Sequence, residues 1–468
     1  MAFILLFLTF CNYFVFGYFL LVQGFYLFLL CFSISEYFKR YKELKMENLD
    51  KLLSSESIPK ISIIIPAYNE ESMISFVVNN LLSLSYRYKE IIIVNDGSKD
   101  KTLNVLKETF HLIPVPPAIP PVLKTKKVYQ YYRSEEFPSL IVVDKENGGK
   151  VDTVNTGINV SSSDYFLSVD ADTILSDEAL QGLMRPFLTK GHVVAAGGTI
   201  GVANYCILEG NRVKQLRLSK NLLVSFQVVE YLRAFLFGRL GWNRLGGTMI
   251  VSGAFGLFTK EDVVKCGGYE EEIGDDADMV VRLHKMMHEE KEKYSIQFIP
   301  DLVAVTEVPE TWKTLFGQRK RWQIGILNAV RKGIKMLFNP FYKKVGFIGF
   351  PYLFIIETIS PIIEVGGYIV VVISYILGII SWYFAMWLFL LAFAFPILIS
   401  NICFLVESLG FGWYKTYKNY IKLFFYSLLE QCGMRQALVF CRFFACFSWL
   451  REKTDWPDIP RKGFKEKK

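Results

Sequence analysis

The sequence lacks the closely spaced cysteines and histidines that a structural zinc site requires. Its eight cysteines are scattered, no two of them form a CxxC pair, and the chain has only four histidines. Five of the cysteines lie in apolar stretches: Cys11, Cys31, Cys403, Cys441 and Cys446. We therefore predict reduced, buried thiols and no structural disulfide. His284 and His288 have the i, i+4 spacing of a metal-binding pair, but their position after an acidic turn favours a solvated helix face.

The sequence also lacks any RNA- or DNA-binding motif, although its formal net charge is +8. Hydrophobic residues make up 52% of the chain and aromatic residues 16%, which is more typical of a membrane protein than of a soluble one. Much of the basic excess flanks apolar segments, as in proteins whose positive loops stay on the cytoplasmic side. We predict a lipid bilayer as a partner and no nucleic acid, and nothing in the sequence indicates an obligatory protein partner.

Charge is absent from residues 2–33, and this stretch exceeds the roughly 20 residues that a helix needs to cross a bilayer. It predicts either one long tilted helix or one span preceded by an interfacial turn. A cleaved signal peptide is not favoured, because no basic residues precede the apolar stretch and no small-residue cleavage site follows it. The next segment, EYFKRYKELK, is basic, which predicts an N-terminus outside the cell and a cytoplasmic continuation.

Long apolar stretches return later in the chain, with predicted spans at about 349–380 and 382–406 and a short re-entrant hairpin at 420–450. Pro361 predicts a kink in the first of them. The loop at 413–422 and the last residues are basic, so we expect both, and the C-terminus, to be cytoplasmic. The pattern predicts a multi-pass protein of the plasma membrane.

Two glutamates interrupt the first of these later spans. Glu357 and Glu364 are seven residues apart and therefore share one helix face. Ionisable groups at membrane depth usually face protein or a wet cavity, so the pair could line a path through the membrane. A position near the membrane interface is the alternative, and the sequence leaves both open.

Between the membrane segments, short apolar runs alternate with helical patterns. Strands are predicted at 60–66, 90–94, 128–132, 139–143 and 165–169, helices at 70–84, 100–110 and 150–160, and an extended Pro-rich loop at 111–123. This alternation predicts a parallel, Rossmann-like α/β sheet, which binds its ligands at the carboxyl ends of the strands. The predicted domains are 1–45, a membrane helix with its basic flank; 46–310, the α/β domain after a polar linker at 46–60; 311–345, interface helices; and 346–468, the membrane region and basic tail.

Three of the predicted strands end in acidic residues. Tyr68 and Glu70 follow the first strand, Asp96 the second, and Asp170 and Asp172 a later one. A single acidic strand end is commonly a turn or a helix cap, but three that converge repel one another unless a cation binds. Two aspartates one residue apart are good ligands for Mg²⁺ or Mn²⁺, which prefer hard oxygen donors and often bridge to phosphates.

Three further motifs supply groups for donor binding or catalysis. Asn147–Lys150 opens a helix and adds backbone amides and an ammonium that suit a diphosphate. Ser252–Gly256 is a loop of small residues that lets a substrate approach the backbone. Asp275 and Asp276 begin another helix, where they are either caps or include a general base, since crowding of like charges raises a carboxyl pKa.

The pentad QRKRW lies in the sequence between the α/β region and the later membrane region. Gln318, Arg321 and Trp322 share one helix face at i, i+3 and i+4. A guanidinium pairs with phosphate oxygens, and an indole offers a flat surface on which a sugar stacks. The alternative is a basic amphipathic helix on the membrane surface. Residues 221–245 are also amphipathic and aromatic, which predicts an interface helix or, alternatively, a buried core helix.

Together these motifs resemble the processive, membrane-integrated family 2 glycosyltransferases, which include the bacterial cellulose, hyaluronan, chitin and poly-N-acetylglucosamine synthases. The resemblance covers about residues 60–330 and depends on the ordered set IIIPAYNEE, IIIVNDGS, ENGGK, VDADT, SGAFG, GDD and QRKRW. It implies a GT-A, Rossmann-like cytosolic glycosyltransferase domain inserted between transmembrane helices, with amphipathic interface helices.

The resemblance also implies roles for the motif residues. Asp276 is expected to be the general base, beside Asp275, and Asp172 the ligand of Mg²⁺ or Mn²⁺, with Asp170 in the same Asp-x-Asp element. The nucleotide-sugar donor is expected to contact Tyr68, Glu70, Asp96, Lys150, Asp170 and Arg321, and the acceptor Gln318, Trp322, Ser252 and Gly253. Asn95 departs from the family pattern, in which many relatives carry an aspartate.

The implied reaction is processive and inverting. Sugars from UDP-glucose or UDP-N-acetylglucosamine are expected to form a β-linked polysaccharide that crosses the plasma membrane, but the sequence names neither the sugar nor the linkage. A non-processive transferase that acts on a lipid phosphate is the first alternative. A nucleotide-sensing membrane channel, which needs no general base, is the second. No gating-loop motif follows Trp322, and we expect no C-terminal regulatory domain.

Overall fold

The computed structural model describes residues 2–46, 58–117, 120–270 and 273–451. Most of the polar linker predicted at 46–60, and the predicted basic tail, lie outside these residues. The chain divides into two units. The helical unit consists of the described parts of Met1–Tyr41, Leu218–Leu245 and Pro309–Ile459, and the α/β unit of the described parts of Lys42–Arg217 and Gly246–Val308.

The strands of the described residues all lie in the α/β unit. In chain order they are β1 Ile61–Ala67, β2 Lys89–Asp96, β3 Leu112–Val115, β4 Val128–Ser134, β5 Leu140–Lys145, β6 Tyr165–Val169, β7 Thr173–Leu175, β8 Val193–Val202, β9 Ile207–Glu209, β10 Arg212–Gln215, β11 Phe255–Thr259 and β12 Ser295–Thr306.

The helices used below belong to both units. In chain order they are α1 Ala2–Met46, α2 Ile74–Ser83, α3 Thr102–Thr109, α4 Gly149–Val160, α5 Ala179–Thr189, α6 Leu222–Tyr231, α7 Trp242–Leu245, α8 Lys260–Lys265, α9 Asp275–Glu289, α10 Trp312–Gly333, α11 Val345–Ile376, α12 Trp382–Leu409, α13 Tyr417–Leu429 and α14 Arg435–Leu450.

One mixed sheet has the strand order β3-β4-β5-β2-β1-β6-β11-β8-β12-β7. The strands β5, β2, β1 and β6 are parallel to one another, as the alternating pattern predicts. β1 and β2 are isoleucine-rich and almost entirely buried, which is typical of strands covered on both faces. β4 and β11 run antiparallel to their neighbours, so the prediction of a parallel sheet is confirmed only for the central strands.

The core of the α/β unit lies between the central strands and the helices α4 and α9. Ile64 of β1, Val154 of α4 and Met279 of α9 belong to one cluster of buried side chains. Burying one side chain of this size contributes about 1.5–3 kcal/mol relative to leaving it exposed. Gly157 brings α4 so close to β1 that a Cβ atom there would lie 2.3 Å from Ile64. This packing fixes α4, whose first turn carries Lys150.

The Pro-rich segment is not a loop throughout. Leu112–Val115 forms the edge strand β3, which pairs antiparallel with β4. A proline disturbs strand pairing least at a sheet edge, which explains why Pro114 is accommodated there. The prediction of a loop throughout 111–123 was therefore wrong at Leu112–Val115, which is a strand. Residues 118–119 lie outside the described residues.

The sequence analysis did not predict β7, α5, β8 or β12. The strand β8, VVAAGGTIGV, contains glycines and alanines that weaken a strand pattern. A Cβ atom at Gly198 would lie 2.3 Å from the Val303 side chain of β12, so close packing excludes a larger residue there. These small residues therefore follow from tertiary contacts that the sequence pattern does not show.

The helical unit contains helices of membrane-spanning length. Three helices of the described residues are long and apolar enough to cross a membrane: Ala2–Leu44, Val345–Ile376 and Trp382–Leu409. α1 is one continuous helix of 45 residues, which confirms the first of the two alternatives for residues 2–33. Val15 and Phe19 of α1 pack against Ile356 of α11 and Leu388 of α12. The spans agree in position with those predicted, and the membrane assignment depends on length and composition.

Two irregularities interrupt the helices of the helical unit. A π-helical segment, Leu353–Ile359, ends two residues before Pro361, which has no amide hydrogen to donate, and the kink at Pro361 stays a prediction. α13 and α14 are separated by non-helical residues at Cys432 and Gly433, where Gly433 has φ +125°. The segment predicted as a short hairpin at 420–450 is therefore broken into two helices.

Residues 221–245 are helical and mostly buried within the helical unit. Leu223 of α6 packs with Leu315 of α10, and Trp242 of α7 packs with Leu29 of α1. This burial favours the alternative of a core helix, while a position of α6 at a membrane interface stays a prediction. All eight cysteines are free thiols in the structure. Cys403 and Cys446 are buried, as predicted, whereas Cys31 and Cys432 are exposed.

Candidate active site

Three acidic strand ends lie at one edge of the sheet. β2, β1 and β6 are adjacent and parallel, so their carboxyl ends meet at the same side. Asp96 is the last residue of β2, Glu70 follows β1, and Asp170 follows β6. The structure thereby brings these three predicted site residues to a common edge of the α/β unit.

Lys150 joins three of the motifs. Its ammonium lies 2.7 Å from Asp170 Oδ1 and donates to the Gly253 carbonyl at 2.9 Å. The Asp170 amide donates to the Ala254 carbonyl at 3.0 Å. The helix start at Lys150, the strand end at Asp170 and the small-residue loop at Ser252–Gly256 therefore form one cluster. Lys150 and Asp170 remain 38% and 30% exposed, so a ligand can reach them.

Asp276 joins this cluster from the start of α9. Gly274 precedes the helix with φ +89°, a conformation that glycine adopts without strain. The Gly253 amide donates to Asp276 Oδ2 at 3.2 Å, and the Ala277 amide donates to Oδ1 at 2.9 Å. Asp276 thus accepts a bond at its own helix start and also contacts the loop that Lys150 contacts. Capping and catalysis, the two alternatives from the sequence, are compatible in this geometry.

The charges of the cluster influence one another. Partial burial raises the pKa of the Asp275 carboxyl to about 6. The carboxylates of Asp276 and Asp170 act in the same direction, and the Lys150 ammonium opposes them. Partial burial would lower the pKa of Lys150, but nearby carboxylates, Asp170 first, outweigh it and raise that pKa above its ordinary value. Lys150 is therefore a firmly protonated cation among carboxylates.

Asp170 and Asp172 are suited to a divalent cation by their chemistry. Both carboxylates lie in the short connection between β6 and β7, and Thr173 Oγ1 lies 3.4 Å from Asp172 Oδ1. Among the described residues, no group of three or more His, Cys, Asp or Glu side chains is gathered for a metal. A cation held here would therefore take most of its ligands from phosphate and water, as Mg²⁺ and Mn²⁺ do in many nucleotide sites.

Asp96 uses its carboxylate within the protein. Lys145 Nζ and the Gly148 amide donate to Oδ1 at 2.7 and 2.9 Å, and the Gly149 amide donates to Oδ2 at 2.9 Å. The carboxylate thus orders the loop before α4, and the amides expected to bind a diphosphate are already bonded to it. The implied contact of Asp96 with uridine stays a prediction.

Lys145 is a site residue that the sequence analysis missed. Its side chain is fully buried, and Nζ lies 2.7 Å from both Asp96 and Asp152. The sequence carries a signal for this residue. Lys145 ends the apolar strand β5, which neighbours β2, and β2 ends in Asp96. The parallel register indeed pairs Lys145 with Asp96. Burial leaves Lys145 to position the loop and not to bind a ligand.

The loops after β1 and β2 are bonded to each other. The Asn69 amide donates to Ser98 Oγ at 3.0 Å, and the Lys99 amide donates to Asn69 Oδ1 at 2.8 Å. Tyr68 is 43% exposed on this joined surface, whereas Glu70 is buried. Asn95 donates to Asp144 Oδ1 at 2.7 Å, so the residue that departs from the family pattern has a partner within the sheet.

The pentad lies on α10 of the helical unit, whereas all the site residues above lie in the α/β unit. Trp322 is 39% exposed. Arg319 lies with its guanidinium 4.2 Å from the centre of the Trp322 ring. Gln318 and Arg321 occupy the same helix, as predicted, and their roles toward donor and acceptor stay predictions.

His284 is not on a solvated helix face, so that prediction was wrong. The ring is 1% exposed, with Nε2 2.8 Å from the Thr248 carbonyl and Nδ1 2.5 Å from the Tyr294 hydroxyl. The same hydroxyl lies 3.1 Å from His288 Nδ1. Burial lowers the pKa of His284 to about 4, so the neutral ring is part of the fold.

The two glutamates of α11 pair with arginines of α14. Glu364 lies 3.0 Å from Arg435, and Glu357 lies 3.3 Å from Arg442. The two glutamates are seven residues apart on α11, and the two arginines are seven residues apart on α14. We call these four residues the polar seam. The seam is only partly buried, with Glu357 and Arg442 side chains 23% and 27% exposed.

Comparison with known proteins identifies the family. Residues 165–398, half of the chain, match the family described as glycosyl transferase family group 2, and residues 62–116 match glycosyl transferase family 2. The poly-beta-1,6-N-acetyl-D-glucosamine synthase of Staphylococcus aureus is 28% identical over 318 residues, 67% of this chain and 64% of the relative. The enzyme of the same name from Staphylococcus epidermidis is 26% identical over 272 residues, 58% of this chain and 55% of the relative.

The matched part of the chain thus spans less than two thirds of these relatives. Among solved structures, the mannosyltransferase PcManGT from Pyrobaculum calidifontis, in complex with GDP-Man and Mn²⁺, matches with a TM-score of 0.51 and 17% identity. The match covers 92% of this chain and 99% of that chain, and it supports the GT-A-like fold alone. On the family match, this chain belongs to glycosyl transferase family 2 and is similar to its polysaccharide synthases.

Proposed function

We propose that this protein is an inverting glycosyltransferase that adds N-acetylglucosamine from UDP-N-acetylglucosamine to a growing β-linked polysaccharide. The cluster of Lys150, Asp170 and Asp276 around Gly253 carries the proposal, because it combines a cation that suits phosphate, one carboxylate of the Asp170 and Asp172 pair, and a candidate base. The similarity to the two staphylococcal poly-beta-1,6-N-acetyl-D-glucosamine synthases supports N-acetylglucosamine over glucose and a β-1,6 linkage.

Lys150 binds the donor diphosphate in this proposal. A diphosphate carries more negative charge than a carboxylate, so it replaces Asp170 as the partner of the ammonium. When bound by Asp170 and Asp172, Mg²⁺ or Mn²⁺ supplies positive charge that stabilises the leaving UDP. Tyr68, exposed on the joined loops, contacts the uridine.

Asp276 is the general base. Its carboxylate accepts the proton of the acceptor hydroxyl, and the oxygen attacks the anomeric carbon from the face opposite UDP. The bond from that carbon to UDP breaks as the new glycosidic bond forms, so an α-linked donor gives a β linkage. The Gly253 and Ala277 amides orient the carboxylate during this step.

Trp322 and the polar seam support a processive and exporting enzyme. An exposed indole on α10 offers a stacking surface for the acceptor sugar, whose retention between additions makes synthesis processive. Charged groups at membrane depth are usually paired and face protein or a wet cavity, and the four residues of the seam are paired. We propose that the seam lines the path of the polymer.

The decisive experiment uses the purified protein in detergent with radiolabelled UDP-N-acetylglucosamine or UDP-glucose, with Mn²⁺, Mg²⁺ or EDTA. We expect a long polymer from UDP-N-acetylglucosamine with metal, which a β-1,6-specific hydrolase degrades. Asp276→Asn should lower the rate about 10²- to 10⁴-fold, because a positioned base is lost. Asp177→Asn is the matched control, since Asp177 forms a surface pair with Arg212.

Each alternative has its own outcome. Polymer synthesis by Asp276→Asn at the wild-type rate would contradict the base. Short products from every donor would favour the non-processive transferase, and binding without turnover would favour the nucleotide-sensing channel. Export is tested in proteoliposomes, where polymer protected from an external hydrolase until detergent is added shows that it crossed the membrane.

A further inference from the structure

Arg319 lies beneath the indole of Trp322. The two residues are three apart on α10, and the guanidinium carbon lies 4.2 Å from the ring centroid. Arg319 is 6% exposed, while Trp322 is 39% exposed. A buried cation thus contacts the ring of a residue that remains open to a ligand. Such a contact is attractive because the face of an aromatic ring carries negative charge.

Glu230 fixes the arginine in this position. Its two carboxylate oxygens accept from Nη1 and Nη2 of Arg319 at 2.7 and 2.9 Å. This bidentate geometry matches the planar guanidinium and defines its orientation. A single hydrogen bond would leave the plane of the guanidinium free to rotate. Phe235 adds an edge-on contact to Trp322, with ring centroids 6.4 Å apart and planes at 90°. The indole is therefore oriented by residues of α6 and of the turn that follows it.

We propose that Arg319, held by Glu230, is a positioning residue that orients the Trp322 indole for the acceptor sugar and so determines how long the polymer is retained. This role depends on the proposed function, because it assigns Trp322 to the acceptor. Arg319 itself needs no contact with sugar or nucleotide. Arg319 also belongs to the pentad, but the sequence analysis assigned roles only to Gln318, Arg321 and Trp322.

A structural ion pair is the competing explanation, and it makes a different prediction. An ion pair between α6 and α10 requires only opposite charges at positions 230 and 319. Orientation of the indole requires a planar guanidinium at position 319, because a lysine ammonium has no flat face to stack and cannot donate two parallel hydrogen bonds to one carboxylate. Arg319→Lys preserves the charge and removes the plane, and the exchange Arg319→Glu with Glu230→Arg preserves the pair and removes the cation from the ring.

The experiment compares wild type, Arg319→Lys, Glu230→Gln and the charge exchange in detergent. For each, product length is measured by size-exclusion chromatography, together with KM for the UDP-sugar and kcat/KM for an N-acetylglucosamine oligomer. We expect shorter polymer and kcat/KM for the oligomer about tenfold lower in Arg319→Lys and in the exchange, with the donor KM changed less than about twofold. Glu230→Gln, which keeps one of the two acceptor oxygens, should be intermediate.

A second measurement does not depend on activity. The protein is labelled with 5-fluorotryptophan, and the ¹⁹F resonance of Trp322 is assigned by its loss in Trp322→Phe. We expect Arg319→Lys to shift or broaden this resonance while the other tryptophan signals stay in place. Wild-type product length in the charge exchange, or an unchanged Trp322 resonance in Arg319→Lys, would overturn the positioning role. A wild-type protein that makes no polymer from any donor overturns the proposed function itself, and the assignment of Trp322 with it.

Discussion

At the scale of single residues, Lys150 has the largest predicted effect on donor binding. Losing a charged hydrogen bond costs about 1.5–3 kcal/mol, so kcat/KM for the UDP-sugar should fall roughly 10- to 100-fold in Lys150→Met. The reason is that Lys150 is the cation at the junction of Asp170 and Gly253. Steady-state kinetics with varied donor concentration measure the effect.

The matched control for Lys150 is Lys265→Met. Lys265 is a surface lysine that pairs with Glu261 at i, i+4 and is 49% exposed. Its loss should leave the kinetics unchanged, since exposed pairs of this kind contribute little. An equal decrease in both variants would show that general surface charge, and not Lys150, binds the donor.

His284 predicts a pH dependence of stability. Its pKa is lowered by burial to about 4, below the ordinary 6.5, so the folded state favours the neutral ring. The contribution of this site is complete above pH 6.5 and is lost as the pH falls from 6.5 towards 4, where the unfolded chain binds the additional proton. The loss should reach about 3 kcal/mol. Thermal unfolding in detergent across this range measures it.

His284→Gln isolates the effect because glutamine does not titrate. This variant should be less stable at neutral pH but should lose less stability between pH 6.5 and 4. His192→Gln, which removes a 39% exposed imidazole, controls for the loss of a histidine as such. A wild-type slope in His284→Gln would assign the pH dependence to other groups.

At the scale of elements, the close contact of α4 with β1 positions Lys150. Alanine in a helix is normally better than glycine by up to about 1 kcal/mol. At Gly157, however, the added methyl would lie 2.3 Å from Ile64, and overpacking of a core costs about 1–3 kcal/mol. Gly157→Ala should therefore lower stability and, by shifting α4, weaken donor binding. Unfolding midpoints and the donor KM test both effects.

Gly191→Ala is the control for this helix contact. A Cβ atom at Gly191 meets no atom within 4 Å, so the substitution should be close to neutral. If Gly157→Ala proves as stable as Gly191→Ala, α4 has more freedom on β1 than its packing indicates. Donor binding would then not depend on this contact.

Elements with strong local patterns were predictable, and those defined by contacts were not. The isoleucine runs of β1 and β2 and the uncharged residues 2–33 of α1 were identified because each has enough consecutive apolar residues to define its environment. β8 was missed because its small residues are required by a neighbouring strand. β11 pairs antiparallel with β6 and β8, a direction that the residues of the strand itself do not indicate.

At the scale of the whole molecule, charge asymmetry predicts the orientation in the membrane. With spans at Ala2–Leu44, Val345–Ile376 and Trp382–Leu409, an N-terminus outside gives a cytoplasmic α/β unit and a cytoplasmic C-terminus. Protease treatment of right-side-out vesicles should digest an N-terminal tag and spare a C-terminal tag, and lysis should expose both. Protection of the N-terminal tag before lysis would contradict the orientation.

The sequence alone determined which chemical groups the protein has and roughly where they lie. The acidic strand ends, Lys150, the aspartates of α9 and the membrane-spanning stretches follow from runs and spacings, because a side chain's place on a strand end or helix face depends on local geometry. It also found Trp322. The residues that orient these groups were missing, above all Lys145 and Arg319.

Only the tertiary structure decided the partners. It placed Lys150 beside Asp170, bonded the Asp96 carboxylate to the loop before α4, and buried His284. It also placed Arg319 between Glu230 and Trp322. Each of these contacts joins residues through the packing of separate helices and strands. Periodicity within one element carries no information about that packing, since burial and low dielectric arise only when the chain has folded around the group.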